Sequence, residues 1–524
     1  MLNLRPYNNK ELLLFPPSVG DYLSNDHLAH VVDEAVETID LTPYYRKISL
    51  VGNPSYDPAL KIKIWFYGYA TQTYSSRKIE EHLDTDVAFI YLSGMQKPDF
   101  RTISDFRKNN LSLLTNSFVD ILKICHRLGM TKLGNISLDS KVMKANASVN
   151  RTYTEKELIK EQEELEKAIQ GYLERANQTD DEEDKKYGYD KLGTELPENI
   201  RDKKVRVKKM KQIAQQLKAA QEKLEESKQN SKKPSKEKIN LTDTDAKIQK
   251  SKGGKYPGYR AEISVDSKEQ VIVANDVTNE QNDAPRLIPM VDKTLENVKE
   301  IKPDRFSDNQ QNQPINTIAD AGYSSGKNLA ELEKEKYKEK IEPYIPDTNS
   351  ETKERGKGHD VTSPFHRSKF IFNEKENSFT CPAGKELYYM GQQISSGILH
   401  SVYRCKDCKS CQHFGKCTTS KQGRHISISQ YQGLINKMRQ KLKTEEGKKI
   451  YGLRKITAEP VFGNLSQNLG FREFLLRGLE KVKGEFSLMC SAHNLLKIAR
   501  FLRDSKMLLT EALAKPCPVA IPDG

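Results

Sequence analysis

The stretch NISLDSKVMKANAS, residues 135–148, decides how the chain is read. It follows Gly134 and opens with Ile136 and Leu138 on either side of Ser137, the alternation of a short strand. Asp139 falls at the end that this pattern assigns to the strand. A single acid in that place is more often a turn former or a helix cap than a ligand, so its meaning depends on its companions. Reading onward, YRAEISVDS (259–267) and VIVANDVTN (271–279) make two more strands joined by a turn at DSKEQ (266–270). APRLIPMVDKTLENV (284–298) has helical spacing, and NTIADAGYSSG (316–326) is a buried strand that ends on Asp320. A helix over KNLAELEKEK (327–336) and a strand at IEPYIP (341–346) complete the series.

The order strand, strand, strand, helix, strand, helix, strand predicts an α/β fold with a ribonuclease-H-like core, assembled from residues 131–152, 256–348 and 430–505. The core is interrupted twice. Residues 153–255 are dense in Glu and Lys, with Leu158, Leu165 and Tyr172 seven apart and Met210, Ile213, Leu217, Ala220 and Leu224 at alternating spacings of three and four. This predicts a charged helical hairpin, either a solvated spacer or a contact for DNA or a second copy, with loops at Thr179-DDEED and Asn230-SKKPSKEK. Residues 349–429 form a Cys-rich insert, and 506–524 a tail. Residues 1–130 read as helices: PALKIKIWFYGYATQTY (58–74) repeats Leu60, Ile64 and Tyr67, Ser75 and Ser76 open a second helix ending near Gly94, and an amphipathic run closes at Gly129. Their polar, Arg-bearing turns suit a DNA-binding arm that includes Arg101, Arg107 and Lys108, with plain helical packing as the other reading.

With 85 Lys and Arg against 72 Asp and Glu, the net charge of +13 favours a polyanionic partner, nucleic acid above all. The first residues, MLNLRPYNNKELLLFPP, break their apolar run with Arg5, Lys10 and Glu11, unlike a signal peptide, and no run spans a bilayer. A cytoplasmic protein with no membrane partner is expected. Five of the eight Cys lie between Cys381 and Cys417, while Cys125, Cys490 and Cys517 are scattered. In a reducing compartment such clustering points to metal before disulfide. Cys381, Cys408, Cys411 and Cys417 supply four thiolates for a structural Zn²⁺, the turn around Gly384 suits a knuckle, and Cys405 is an alternative ligand.

Two-metal phosphoryl transfer needs acidic oxygens converging on one point. Asp139 and Asp320 follow strands, and Glu459 lies in YGLRKITAEPVFGNL (451–465), a helical run from Lys441 that Pro460 is expected to interrupt. Asp276 and Asp283 are rival acids, the first inside a strand-like run and the second placed as a helix cap.

The chain resembles the DDE transposases of bacterial insertion sequences, in the branch with an InsH-type helical N-terminal domain and a Cys-bearing insert. The resemblance is carried by PDFRTISDFR (98–107), ISLDSKVMKANAS (136–148), IADAGYSS (318–325), CPAGKEL (381–387), Tyr451 with Arg454, EPVFGNL (459–465), Gly470-Phe471 and Arg477-Gly478. It implies metal-dependent cleavage at element ends and strand transfer into target DNA. Asp139, Asp320 and Glu459 match the three catalytic acids, which hold two Mg²⁺ or Mn²⁺ ions. Tyr451 and Arg454 match the tyrosine and arginine that accompany the glutamate, Arg454 suiting a phosphate clamp. Partners implied are double-stranded DNA, as terminal inverted repeats and target, and a second copy in a homodimer. Where such enzymes commonly carry a lysine two turns beyond the glutamate, this sequence has Ser466, with Lys481 or Lys483 further on. A decayed, DNA-binding derivative is the alternative, and a ribonuclease-H-like nuclease for RNA hybrids a third class.

Overall fold

The computed structural model describes residues 18–48, 51, 54–167, 170–171, 198–229, 237–251, 254–306, 313–347, 362–395 and 397–514, with the side chains of 198–211 and 227 left aside. Cys517, Tyr172, the expected loop at 179–184 and most of that at 230–238 lie outside them, as does the side chain of Met210.

Seven helices come first: α1 (Leu28–Glu37), α2 (Thr42–Tyr45), α3 (Pro58–Ala70), α4 (Ser76–Thr85), α5 (Val87–Leu92), α6 (Phe100–Asn109) and α7 (Leu111–Arg127). The single helix expected between Ser76 and Gly94 is broken at Asp86, whose carboxylate accepts from the N–H groups of Ala88 and Phe89 and so starts α5 afresh. Asp99 caps α6 in the same way, accepting from Arg101 and Thr102. Gly129 then leaves α7 with a φ of 71°, a conformation that glycine adopts without cost.

The central sheet has β1 (Asn135–Lys144) in the middle. After the two-residue strands β2 (Thr152–Tyr153) and β3 (Ile239–Asn240), which pair with each other, come β4 (Lys247–Ser251), β5 (Gly254–Asp266), β6 (Ile272–Thr278), β7 (Ile315–Ile318) and β8 (Ile341–Tyr344). β5 runs antiparallel to β1 on one side, and on its other edge pairs first with β4 and then with β6. β7 is parallel to β1, and β8 parallel to β7. This mixed sheet, order β6-β5-β1-β7-β8, fits the ribonuclease-H-like expectation. β6 is buried almost throughout because helices α9 (Leu287–Ile301) and α14 (Leu479–Ser505) both pack on it; α8 (Glu198–Gln229) belongs to the insert. Two short helices, α10 (Gly326–Leu332) and α11 (Glu335–Lys338), connect β7 to β8.

In the insert, a helical run over 155–167 and the second half of α8 meet through Leu158, Leu217, Ala220 and Leu224, closed by Ile239. Residues 371–429 are an antiparallel meander, β9 (Ile371–Asn373), β10 (Ser378–Thr380), β11 (Glu386–Ser395), β12 (Ile398–Cys405) and β13 (His425–Ser429). It has its own core of Phe370, Leu387, Tyr403, Cys405 and Ile426. The chain then returns as α12 (Gln432–Lys443) and α13 (Glu445–Gly463), and ends its described part in α14 and α15 (Leu509–Ala514). Among the described residues, no helix is long and apolar enough to cross a membrane.

The N-terminal helices share one continuous hydrophobic cluster with the sheet, because α14 packs against α3 and α7 as well as β6. A buried polar tie reinforces that joint: Arg107 Nη1 donates to Tyr69 Oη at 2.7 Å, and Tyr69 Oη donates to Glu485 Oε1 at 3.0 Å. The Arg107 guanidinium also lies 4.3 Å from the Trp65 ring centroid. Arg107, expected to meet DNA, is only 6% exposed, since Ile103, Phe106 and Arg107 form the inward face of α6. That expectation is corrected. Arg107→Ala should destabilise the protein by about 3–5 kcal/mol in urea unfolding, since it leaves the fully buried Glu485 carboxylate with the Tyr69 hydroxyl and the Leu475 and Leu476 N–H groups but without its facing cation. A single variant within about 0.5 kcal/mol of wild type would contradict the tie.

Candidate active site

β7 pairs with β1 only from Asn135 to Ser137, so beyond that point the β7-side edge of β1 is open. Asp139 sits there, two residues past the last pair. It is in the middle of β1, not at its end as expected, because β5 continues to pair with β1 as far as Lys144. Asp320 lies two residues beyond β7 and caps a short 3₁₀ turn by accepting from Gly322 N at 2.8 Å. Glu459 comes from α13, which packs across β1. Pro460 was expected to interrupt that helix and does not: the Ile456 carbonyl that would accept from residue 460 takes a hydrogen bond from Gln270 Nε2 at 2.8 Å instead. The helix does begin later than expected, at Glu445, where Thr444 caps it.

Arg454 gathers the three acids. Its Nη2 is 3.8 Å from Asp139 Oδ1 and 3.8 Å from Asp320 Oδ2, and its Nη1 is 2.7 Å from Glu459 Oε1. Three negative charges thus face one positive. Exposure is graded, with the Asp139 side chain 15% exposed, Asp320 37% and Glu459 48%, so the centre opens toward solvent on the Glu459 side. Burial pushes the Asp139 carboxyl up to about 6; Asp320 and Glu459 push the same way, while Arg454 and the Ser140 N–H oppose them. Tyr451 lies one helical turn before Arg454, partly exposed.

The face of β1 opposite Asp139 carries a second set of charges. Ser140 Oγ donates to Asp283 Oδ1 at 2.6 Å, and Arg260 Nη1 reaches the same oxygen at 2.5 Å. Asp283 was read as a helix cap, yet its side chain makes no capping bond. A Cβ on Gly322 would lie 2.8 Å from Asp283 Oδ2 and 2.9 Å from Asp320 Oδ1, so only glycine fits between these carboxylates. Asp276, the other rival, is paired with Arg286, which also holds Glu262 at 2.9 Å. Neither rival faces Arg454. Sequence reasoning missed Ser140, Arg260 and Lys141, although strict alternation along β1 places Asp139 and Lys141 on one face and Ser140 on the other.

Of the remaining expected contacts, Arg101 is exposed on α6, and Lys108 is partly exposed beside Asp105 at 3.4 Å. Lys481 and Lys483 lie near the start of α14, Lys483 paired with Glu480. In the meander, Cys381, Cys405, Cys408, Cys411 and Cys417 line one hollow with His413 and Arg424, all five as free thiols. Backbone N–H groups already point at two sulfurs, Lys385 N to Cys381 Sγ at 3.3 Å and Arg424 N to Cys408 Sγ at 3.1 Å. Burial pushes Cys405 up to about 12 and also raises Cys417. Among the described residues, no group of three or more His, Cys, Asp or Glu side chains is placed, as it stands, to hold a metal ion.

Residues 380–499 match the family described as "Transposase DDE domain", and residues 17–109 match the "Transposase domain (DUF772)". In these two stretches, which together make up less than half of its length, the chain is similar to transposases. Glu459, Arg454 and the clustered cysteines fall inside the first match, whereas Asp139 and Asp320 lie outside both. Among solved structures, it is similar to a chain in a cryo-EM structure of a piggyBac transposase synaptic complex with hairpin DNA, at 11% identity and a TM-score of 0.23, covering 97% of this chain and 88% of that one. No curated protein matches it.

Proposed function

We propose that this protein is a DNA transposase that cuts DNA at the ends of its element and joins them to target DNA, using Asp139, Asp320 and Glu459 as the ligands of two divalent cations. The observation that carries the reading is the convergence of these acids, 181 and 139 residues apart in sequence, on the single guanidinium of Arg454. The all-oxygen donor set suits hard cations, and three carboxylates against one guanidinium leave an excess of negative charge for such cations to neutralise, while the buried Arg454 Nε–H, without an acceptor, suits an anionic oxygen. Bound there, Mg²⁺ or Mn²⁺ would supply activation of the attacking oxygen and neutralise charge on the leaving oxygen. The chain's own part is to fix the acids on β1, on the turn after β7 and on α13, and to offer Arg454 to a phosphate once cations replace it among the carboxylates. Water adds to phosphorus as the bond to the 3′ oxygen breaks, leaving a 3′ hydroxyl and a 5′ phosphate; that hydroxyl then attacks a target phosphodiester, and as the new O–P bond forms the target's own bond to its 3′ oxygen breaks and releases a target 3′ hydroxyl.

The test is Mg²⁺-dependent nicking of a duplex carrying the sequences that flank the coding region, against an unrelated duplex of equal length. Cutting at the element ends alone supports the reading, and equal or absent cutting contradicts it. Metal binding should also be linked to pH. Because the folded-state pKa of Asp139 lies above its ordinary value, its ionisation costs the metal-free protein stability as pH rises toward about 6, and a cation must displace a proton below that point. Apparent Mn²⁺ affinity, read by calorimetry, should climb about tenfold per pH unit up to about 6 and then level off. A flat profile would remove Asp139 from the site.

The meander, we further propose, holds a structural Zn²⁺ on Cys381, Cys408, Cys411 and Cys417. Support comes from their shared hollow and from the N–H groups aimed at Cys381 and Cys408, which favour thiolates. Cys405 is the poorer ligand, being buried in the apolar core as a high-pKa thiol.

A further inference from the structure

Lys141 shares a face of β1 with Asp139 and reaches the helix that carries Glu459. Its Nζ donates to Ser466 Oγ at 2.6 Å and lies 3.4 Å from the Phe462 carbonyl. Ser466 is presented by a π-helical turn, Asn464–Asn468, that extends α13 and closes with Leu469 N donating to Asn464 O at 2.9 Å. Such turns redirect a side chain at the expense of regular helix, and they concentrate at functional sites. The Ser466 hydroxyl spends its proton on Phe462 O at 2.7 Å, so it can only accept from Lys141, and the ammonium is aimed by two neutral oxygens.

The other cations of the centre are consumed: Arg454 by the three acids, Arg260 by Asp283, and Arg286 by Glu262 and Asp276. Lys141 makes no ion pair among the described residues, although its side chain is partly buried beside the acids. A partly buried ammonium with a donor to spare, next to a phosphodiester-cutting centre, is a site for an anionic oxygen. Resting on the transposase chemistry proposed above, we infer that Lys141, positioned by Ser466, binds the phosphate of the element end next to the one that is cut.

A double-substitution cycle tests this. Binding of the flank-derived end duplex is measured without divalent metal, with each phosphate near the cut replaced in turn by an uncharged methylphosphonate, for wild type and for Lys141→Met. At one position the replacement should weaken wild-type binding about tenfold and Lys141→Met binding less than about twofold, and on the unmodified duplex Lys141→Arg should keep the affinity that Lys141→Met loses. Lys141→Gln, which keeps a donor for Ser466, serves if the methionine variant does not fold. Penalties that simply add at every phosphate overturn the assignment. Wild-type nicking of the unmodified duplex in Mg²⁺ reads the chemistry separately: additive penalties with intact nicking sink the role of Lys141 alone, and additive penalties without nicking sink both.

Discussion

Asp139→Asn, Asp320→Asn and Glu459→Gln should each lower the rate of end cutting by at least about a thousandfold, on the order of 4 kcal/mol of transition-state stabilisation, while binding to the end duplex stays within about threefold of wild type. The two effects separate because each change removes a ligand oxygen and one negative charge but no basic contact to the phosphate backbone, which supplies most DNA affinity. Each neutral variant also relieves the charge excess around Arg454, so metal-free stability should hold or rise. Gel-resolved cutting in Mg²⁺ beside a binding titration gives both numbers. Cutting retained by any one variant would show that the wrong acid had been chosen, and binding lost together with cutting would point to misfolding.

Removing the proposed zinc should have the next largest effect. Cys408→Ser with Cys411→Ser takes away two ligands, and a structural site of this kind contributes on the order of 10 kcal/mol to the folding of its surroundings. The five strands of the meander share only a small core around Leu387 and Tyr403, so most of their order should depend on the metal. Metal analysis of the purified wild-type protein should find about one zinc per chain, the double variant should lose it, and proteolysis should then cut within residues 371–429. Cys405→Ser should keep the metal. Zinc content that is unchanged in the double variant, or absent from wild type, would leave the cysteines as free thiols.

The sheet was legible because β1, β5, β6, β7 and β8 write their burial into strict apolar alternation or unbroken apolar runs. Strand lengths were not. Nothing in Ile136-Ser-Leu-Asp139 reveals that β5 holds β1 extended as far as Lys144 while β7 leaves at Ser137, and that difference in partners puts Asp139 on an open edge. Local capping chemistry was under-read at Asp86 and Asp99, each of which starts a helix by accepting two backbone N–H groups. Charge misled at Arg107, where a basic residue in a basic protein is an internal counter-ion for Glu485, 378 positions later. Such long-range pairing has no local signature. The same is true of Gln270, whose side chain lets Pro460 sit inside α13 and so keeps Glu459 in line. The acids themselves could be picked out, but their meeting point on Arg454 could not.

Mn²⁺ binding followed by electron paramagnetic resonance tests the centre most directly. At neutral pH and without DNA, the wild-type protein should bind two Mn²⁺ ions whose spectra show the coupling of a pair about 3.5–4 Å apart, and each of Asp139→Asn, Asp320→Asn and Glu459→Gln should lose that coupling. Uncoupled Mn²⁺, or a coupled pair that survives any of the three substitutions, would contradict the account.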